Sequence, residues 1–127
     1  MLIFKEFTFE AAHFLPSAEK GTANSRIHGH SFRVRVTLKG APADDTGLIQ
    51  HLGTVEEKLK AVRDKLDHRF LNEDVEGLEY PTLEHIALWI WGELHIELPL
   101  IYEVSVMRDT CGEGCIYRGS QHKRDAD

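Results

Sequence analysis

From Phe32 to Leu38 every second residue is apolar: Phe32, Val34, Val36 and Leu38 alternate with Arg33, Arg35 and Thr37. A two-residue period marks a strand with one buried face. Immediately before it lies His28-Gly29-His30. Side chains at i and i+2 of a strand share a face, so His28 and His30 project beside the apolar set, at its end. Two imidazoles held side by side at the mouth of an apolar face chelate metals. Zn2+ suits them, because neutral imidazole is among its ligands and a three-nitrogen site leaves a fourth position for substrate.

The remaining elements follow from local pattern. Leu2 to His13 reads as a first strand, with Phe4, Phe7, Phe9 and Ala11 apolar and an interruption near Lys5-Glu6 that predicts a bulge. Ser17 to Ser25 is polar and loop-like, and the second strand spans Ile27 to Lys39. Gly40 to Gly47 is turn material. A helix begins near Thr54, with Glu57 completing a capping box and Val55, Leu59, Val62 and Leu66 forming one stripe. Asn72 to Tyr80 is a loop. Pro81-Thr82 opens a second helix with Leu83, Ile86, Ala87, Ile90 and Leu94 inward, ended by Pro99. Ile101 to Met107 and the short Ile116-Tyr117 complete the strands. No long helix joins consecutive strands, so the order predicts an α+β fold with an antiparallel sheet and two helices on one face. Residues 1–120 form one domain and 121–127 a flexible charged tail.

With 127 residues the chain builds one core, and partner copies would cover its large surface fraction. A net charge of −6 disfavours nucleic acid but permits a local basic pocket for a phosphorylated small molecule. No apolar run approaches the ~20 residues of a membrane span. Met1 to Glu6 lacks a signal-peptide layout, so a cytoplasmic location is expected. Cys111 and Cys115 then read as reduced thiols, and their spacing is not that of a redox motif or zinc knuckle.

A protein zinc site needs a third ligand. His13 ends the first strand, and neighbouring antiparallel strands would bring it beside His28 and His30. His51, His85, His95 and His122 have no such pairing. Asp67-His68 reads two ways: as an orienting carboxylate–imidazole pair, or as a helix end where the dipole favours histidine.

Together these residues resemble the 6-pyruvoyl-tetrahydropterin synthase superfamily, above all its bacterial 6-carboxytetrahydropterin synthase branch. Phe7-Thr8-Phe9-Glu10-Ala11-Ala12-His13, Ile27-His28-Gly29-His30-Ser31-Phe32, Leu66-Asp67-His68, Leu71-Asn72 and Pro81-Thr82-Leu83-Glu84 are similar to its motifs and follow its order. So do Thr110-Cys111 and Gly114-Cys115-Ile116-Tyr117-Arg118-Gly119. The resemblance implies the tunnelling fold, a four-stranded antiparallel sheet with two helices, assembled as a homo-oligomer (trimer or hexamer) with sites at subunit interfaces. It implies Zn2+ on His13, His28 and His30, proton transfer by Asp67 and His68, and a pterin substrate held near Asp109 and Thr110. The implied substrate is 7,8-dihydroneopterin triphosphate, and the carboxy branch converts it on the route to queuosine. No nucleic acid or membrane partner is implied.

Three positions depart from the pattern. Asn24 stands where the family carries its catalytic cysteine, and an amide is no proton acceptor near neutral pH. Asp109 replaces the pterin-anchoring glutamate, one methylene shorter, and Gln50 replaces a usual aspartate. These changes point to a zinc-dependent pterin lyase of reduced or altered activity. The alternatives are a non-catalytic zinc- and pterin-binding homologue or partner subunit, and a different retro-aldol or epimerase-like activity on a dihydropterin.

Overall fold

Strand β1 (Leu2–His13) and strand β2 (His28–Lys39) form an antiparallel pair with continuous register from Leu2 opposite Lys39 to His13 opposite His28. The computed structural model describes residues 1–119, so the tail expected at 121–127 lies outside the described residues. Phe9 faces Phe32 across the pair, their rings stacked at 4.7 Å. The bulge expected near Lys5-Glu6 is absent. Lys5 takes an inward position at the sheet margin and reaches Glu56 on helix α1 (Leu52–Leu66) at 3.8 Å. A lysine tolerates that place because its stem is covered while its ammonium stays in water. Phe4 stands on the opposite face, with the Arg35 guanidinium 4.1 Å from its ring centre. The sheet's irregularity lies elsewhere, between Thr37 and Leu38 where β2 meets β4 (Ile101–Arg108).

Helix α1 begins at Leu52, earlier than the capping box near Thr54 suggested. His51 is its cap, accepting the Gly53 N–H on Nδ1 at 3.1 Å. Its stripe of Val55, Leu59, Val62 and Leu66 is buried as the spacing predicts. After α1 the chain differs from expectation. Arg69–Phe70 form β3, parallel to Ala11 and Ala12 of β1, and Leu71–Asp74 form a one-turn helix, α2. Helix α3 (Leu83–Leu94) is capped by the Thr82 hydroxyl, which accepts the His85 N–H at 3.1 Å; it ends at Leu94, before Pro99.

Strand β5 (Glu113–Tyr117) closes the other edge and is longer than Ile116-Tyr117. The expected four antiparallel strands and two helices are thus corrected to a five-stranded mixed sheet, ordered β3-β1-β2-β4-β5, with three helices. The additions are two and four residues long, too short to show a period. The α+β class stands. Helix α1 packs on β1 and α3 on β4 and β5. Their inward side chains join Phe9, Phe32, Val34, Val36, Val104 and Val106 in one core. That core supports the end of the sheet where His13, His28 and His30 meet.

Candidate metal centre and active site

The β1–β2 register sets His13 directly opposite His28, and the strand period puts His30 on the same face. The three ring centres form a near-equilateral triangle: 4.7 Å between His13 and His28, 5.0 Å between His13 and His30, 4.8 Å between His28 and His30. One nitrogen from each ring lies within 4.8 Å of the others. Phe32 meets the His13 and His30 rings edge-on and forms the apolar floor.

Hydrogen bonds assign the tautomers. His13 Nδ1 lies 2.8 Å from the Pro81 carbonyl and His28 Nδ1 lies 2.7 Å from the Arg26 carbonyl. A carbonyl oxygen only accepts, so both Nδ1 atoms carry the proton and both Nε2 atoms present lone pairs. Those two Nε2 atoms are 3.1 Å apart. Facing lone pairs at that distance repel unless a cation lies between them. Tetrahedral zinc with Zn–N near 2.0–2.1 Å sets its nitrogens about 3.3 Å apart. Carbonyls fixing Nδ1 are the usual outer partners of metal-bound imidazoles. The donor set therefore fits a zinc ion.

Charge state favours the same use. His13 is 1% exposed. Burial pushes its pKa down to about 4, with the neighbouring His28, His30 and Arg108 adding to the effect against the Pro81 hydrogen bond. His30 is also lowered, by burial and then by Arg108. Both are held in the neutral, ligating form. Arg108 was not singled out from sequence. It continues the inward alternation of Val104 and Val106, and brings Nη1 to 3.5 Å from His30 Nε2 while Nη2 bonds Glu113 at 3.0 Å.

Asp67 caps the C-terminus of α1, and His68 follows in the left-handed region with φ of 59°. That conformation is rare for a side chain other than glycine. Three bonds hold it. His68 Nδ1 lies 2.9 Å from Asp67 Oδ2, the Glu10 N–H donates to Asp67 Oδ1 at 2.9 Å, and the His68 N–H donates to the Glu10 carbonyl at 2.6 Å. Arg63 adds an ion pair to Asp67 at 3.2 Å. The Glu10 N–H first, and His68 second, hold the Asp67 carboxyl below its usual range. The imidazole thus bonds its neighbour's carboxylate, and its ring stands 79% exposed. His30, His68 and Thr110 line one cleft of about 580 Å³, together with Glu10, Gly29 and Ser31.

A family model described as 6-pyruvoyl tetrahydropterin synthase matches residues 2–120. The chain belongs to the 6-pyruvoyl tetrahydropterin synthase family. A 6-carboxy-5,6,7,8-tetrahydropterin synthase of Synechocystis is 39% identical, covering 91% of this chain and 92% of its own. A Bacillus subtilis protein of the same name is 31% identical over 90% and 82%. The structure of Caenorhabditis elegans 6-pyruvoyl tetrahydropterin synthase superposes with a TM-score of 0.83 at 26% identity, covering 94% of this chain and 96% of that one.

Within this synthase family chain, two of the expected site residues stand apart from the cleft lining. Asn24 sits in a single 3-10 turn (Ala23–Ser25), where its carbonyl accepts the Leu15 N–H at 2.8 Å. Asp109 is held by Arg33, whose guanidinium lowers its carboxyl. Cys111 and Cys115 are free thiols, as expected, and Cys115 Sγ donates to the Leu83 carbonyl at 3.2 Å. Sequence reasoning missed Glu10, Ser31 and Arg33 as site neighbours. Their signal was the same alternation that identified the strands, read for its outer face.

Proposed function

We propose that this chain is a zinc-dependent pterin lyase of the 6-carboxy-5,6,7,8-tetrahydropterin synthase kind. It acts on 7,8-dihydroneopterin triphosphate or a related dihydropterin, with reduced or altered activity. The observation that carries the proposal is one cleft holding both His30 of the triad and His68 of the Asp67–His68 pair. When bound, Zn2+ supplies Lewis-acid polarisation of substrate oxygens. His13, His28 and His30 would hold it. Asp67 fixes the His68 tautomer with Nδ1 protonated, which leaves Nε2 free to take a proton from substrate and return it. Thr110, at the cleft wall, offers a hydroxyl to the substrate, and Asp109 is the candidate pterin anchor. A homo-oligomer, trimeric or hexameric, with sites at subunit interfaces and a cytoplasmic location goes with this assignment.

A non-catalytic zinc- and pterin-binding homologue or partner subunit is the alternative. It is favoured by the engagement of both Asp109 carboxylate oxygens by Arg33 and by the amide at Asn24. Incubation of the zinc-loaded protein with 7,8-dihydroneopterin triphosphate, with products resolved by mass, separates the two. Release of triphosphate with a changed pterin supports the lyase. Pterin binding without turnover supports the binder. Gain of rate in Asn24→Cys would trace the altered activity to that position.

A further inference from the structure

Glu10 is the cleft residue to which no role has yet been given. Its backbone is fastened to the Asp67–His68 pair on both sides, donating its N–H to Asp67 and accepting the His68 N–H. Its side chain therefore has a fixed relation to His68, and both line the cleft that His30 and Thr110 share. Directly across β2 stands Ser31, whose hydroxyl donates to Glu10 Oε2 at 2.6 Å. That bond aims the carboxylate and uses one of its two oxygens. We propose that Glu10 is a second proton-carrying residue of this site, working with His68 on the side chain of the bound dihydropterin. The assignment rests on the lyase activity proposed above.

Chemistry requires such a group. Breaking or rearranging a hydroxylated carbon chain removes a proton at one atom and returns one at another. In the step assigned to Glu10, a C–H beside a carbon–oxygen bond gives its proton to the carboxylate. The C–H electron pair becomes the C=C bond of an enolate, and Glu10 becomes a neutral acid. It then returns that proton to the carbon skeleton or to a departing oxygen, so no oxidant or reductant is consumed. A carboxylate can do this and an amide cannot. Asn24 has the wrong side chain, and Glu10 has the right one inside the cleft.

Glu10 and Ser31 also read as an ordinary cross-strand pair on a sheet face. Glu10→Gln separates the two roles, since the amide oxygen still accepts the Ser31 hydroxyl but takes up no proton. Zinc-loaded wild type and Glu10→Gln are compared on 7,8-dihydroneopterin triphosphate in heavy water, with mass detection of turnover and of deuterium entering the pterin. For Glu10→Gln a fall in kcat of at least about 100-fold is expected, with lost deuterium incorporation, an unchanged melting temperature and little change in KM. Turnover by Glu10→Gln close to that of the wild type would overturn the role of Glu10 and leave the lyase standing. Loss of pterin binding in place of kcat would overturn it too. A wild type that turns over no pterin would overturn the lyase itself, and the proton role with it. If Glu10→Gln melts early, Glu10→Asp decides the matter: recovered turnover supports the proton role, and continued loss refutes it.

Discussion

Arg33 grips both carboxylate oxygens of Asp109, Nε at 2.9 Å from Oδ2 and Nη2 at 3.2 Å from Oδ1. The same guanidinium reaches Glu6 at 2.9 Å, which in turn accepts from Arg35 Nε at 2.7 Å. A carboxylate so engaged must exchange one partner for another before it accepts from a pterin N–H edge. Arg33→Met removes that competition. The variant is expected to bind a reduced pterin up to about fivefold more tightly, the scale of one exposed ion pair. Fluorescence titration checks this, and Asp109→Asn in the Arg33→Met background is expected to reverse the gain. Unchanged affinity in Arg33→Met would remove Asp109 as the anchor.

The triad makes a separate prediction. His28→Ala leaves two imidazoles, too few to retain zinc through dialysis, and metal analysis is expected to find the site empty. His28 is the informative choice because it is only half-buried, so its loss leaves the core intact. Truncating buried His13 would also open a hole beside Phe32. Full zinc occupancy in His28→Ala would overturn the ligand assignment.

These predictions draw on parts that were unequally legible in the sequence. The triad was legible because it rests on two regular facts: the period of β2 aligns His28 with His30, and an antiparallel neighbour ending in His13 meets them. The helical stripes were legible for the same reason, since Leu59 or Ile90 repeats a period over many residues. Local events were not. Strand β3 exists because His68 turns the chain in the left-handed region and lays Arg69-Phe70 along β1. Nothing in two residues announces that. The Lys5 position read as a fault in the pattern, although a lysine can complete it at a margin. The partner of Asp109 lies 76 positions away on β2, and pairs at that separation leave no periodic trace. Glu10 looked like any outward strand residue until the cleft beside it was visible.

Burial of His13 makes stability depend on pH. Its pKa is about 4 folded, against 6.5 for an unperturbed imidazole. Between these values the unfolded chain binds a proton that the folded one refuses. Stability is therefore full above pH 6.5, declines as pH falls toward 4, and receives no further loss from this group below that. The total is about 3 kcal/mol. Asp67, also lowered, adds its own loss only at still more acid pH, as its carboxylate protonates. Denaturant unfolding of chelator-treated protein between pH 7.5 and 4.5 (about three units spanning the unperturbed value) is expected to show this decline. His13→Gln should flatten it. A flat profile in the unsubstituted protein would mean that His13 is not held neutral by burial.

The final prediction concerns the left-handed turn at His68. A β-carbon in that conformation is disfavoured by roughly 1 kcal/mol, and glycine escapes the penalty. The imidazole keeps its place because the Glu10 backbone and the Asp67 carboxylate hold it there. His68→Ala and His68→Gly both lose the ring, so both are expected to lose turnover by at least about 100-fold. They should differ in stability. The glycine variant is expected to be more stable than the alanine variant by about 1 kcal/mol, read from the denaturant midpoints at a common slope. Such a split would mean that the fold tolerates strain at the residue its chemistry needs. Equal stability would mean that the turn relaxes once the ring is gone, and that the ring's bond to Asp67 is what imposes the left-handed backbone.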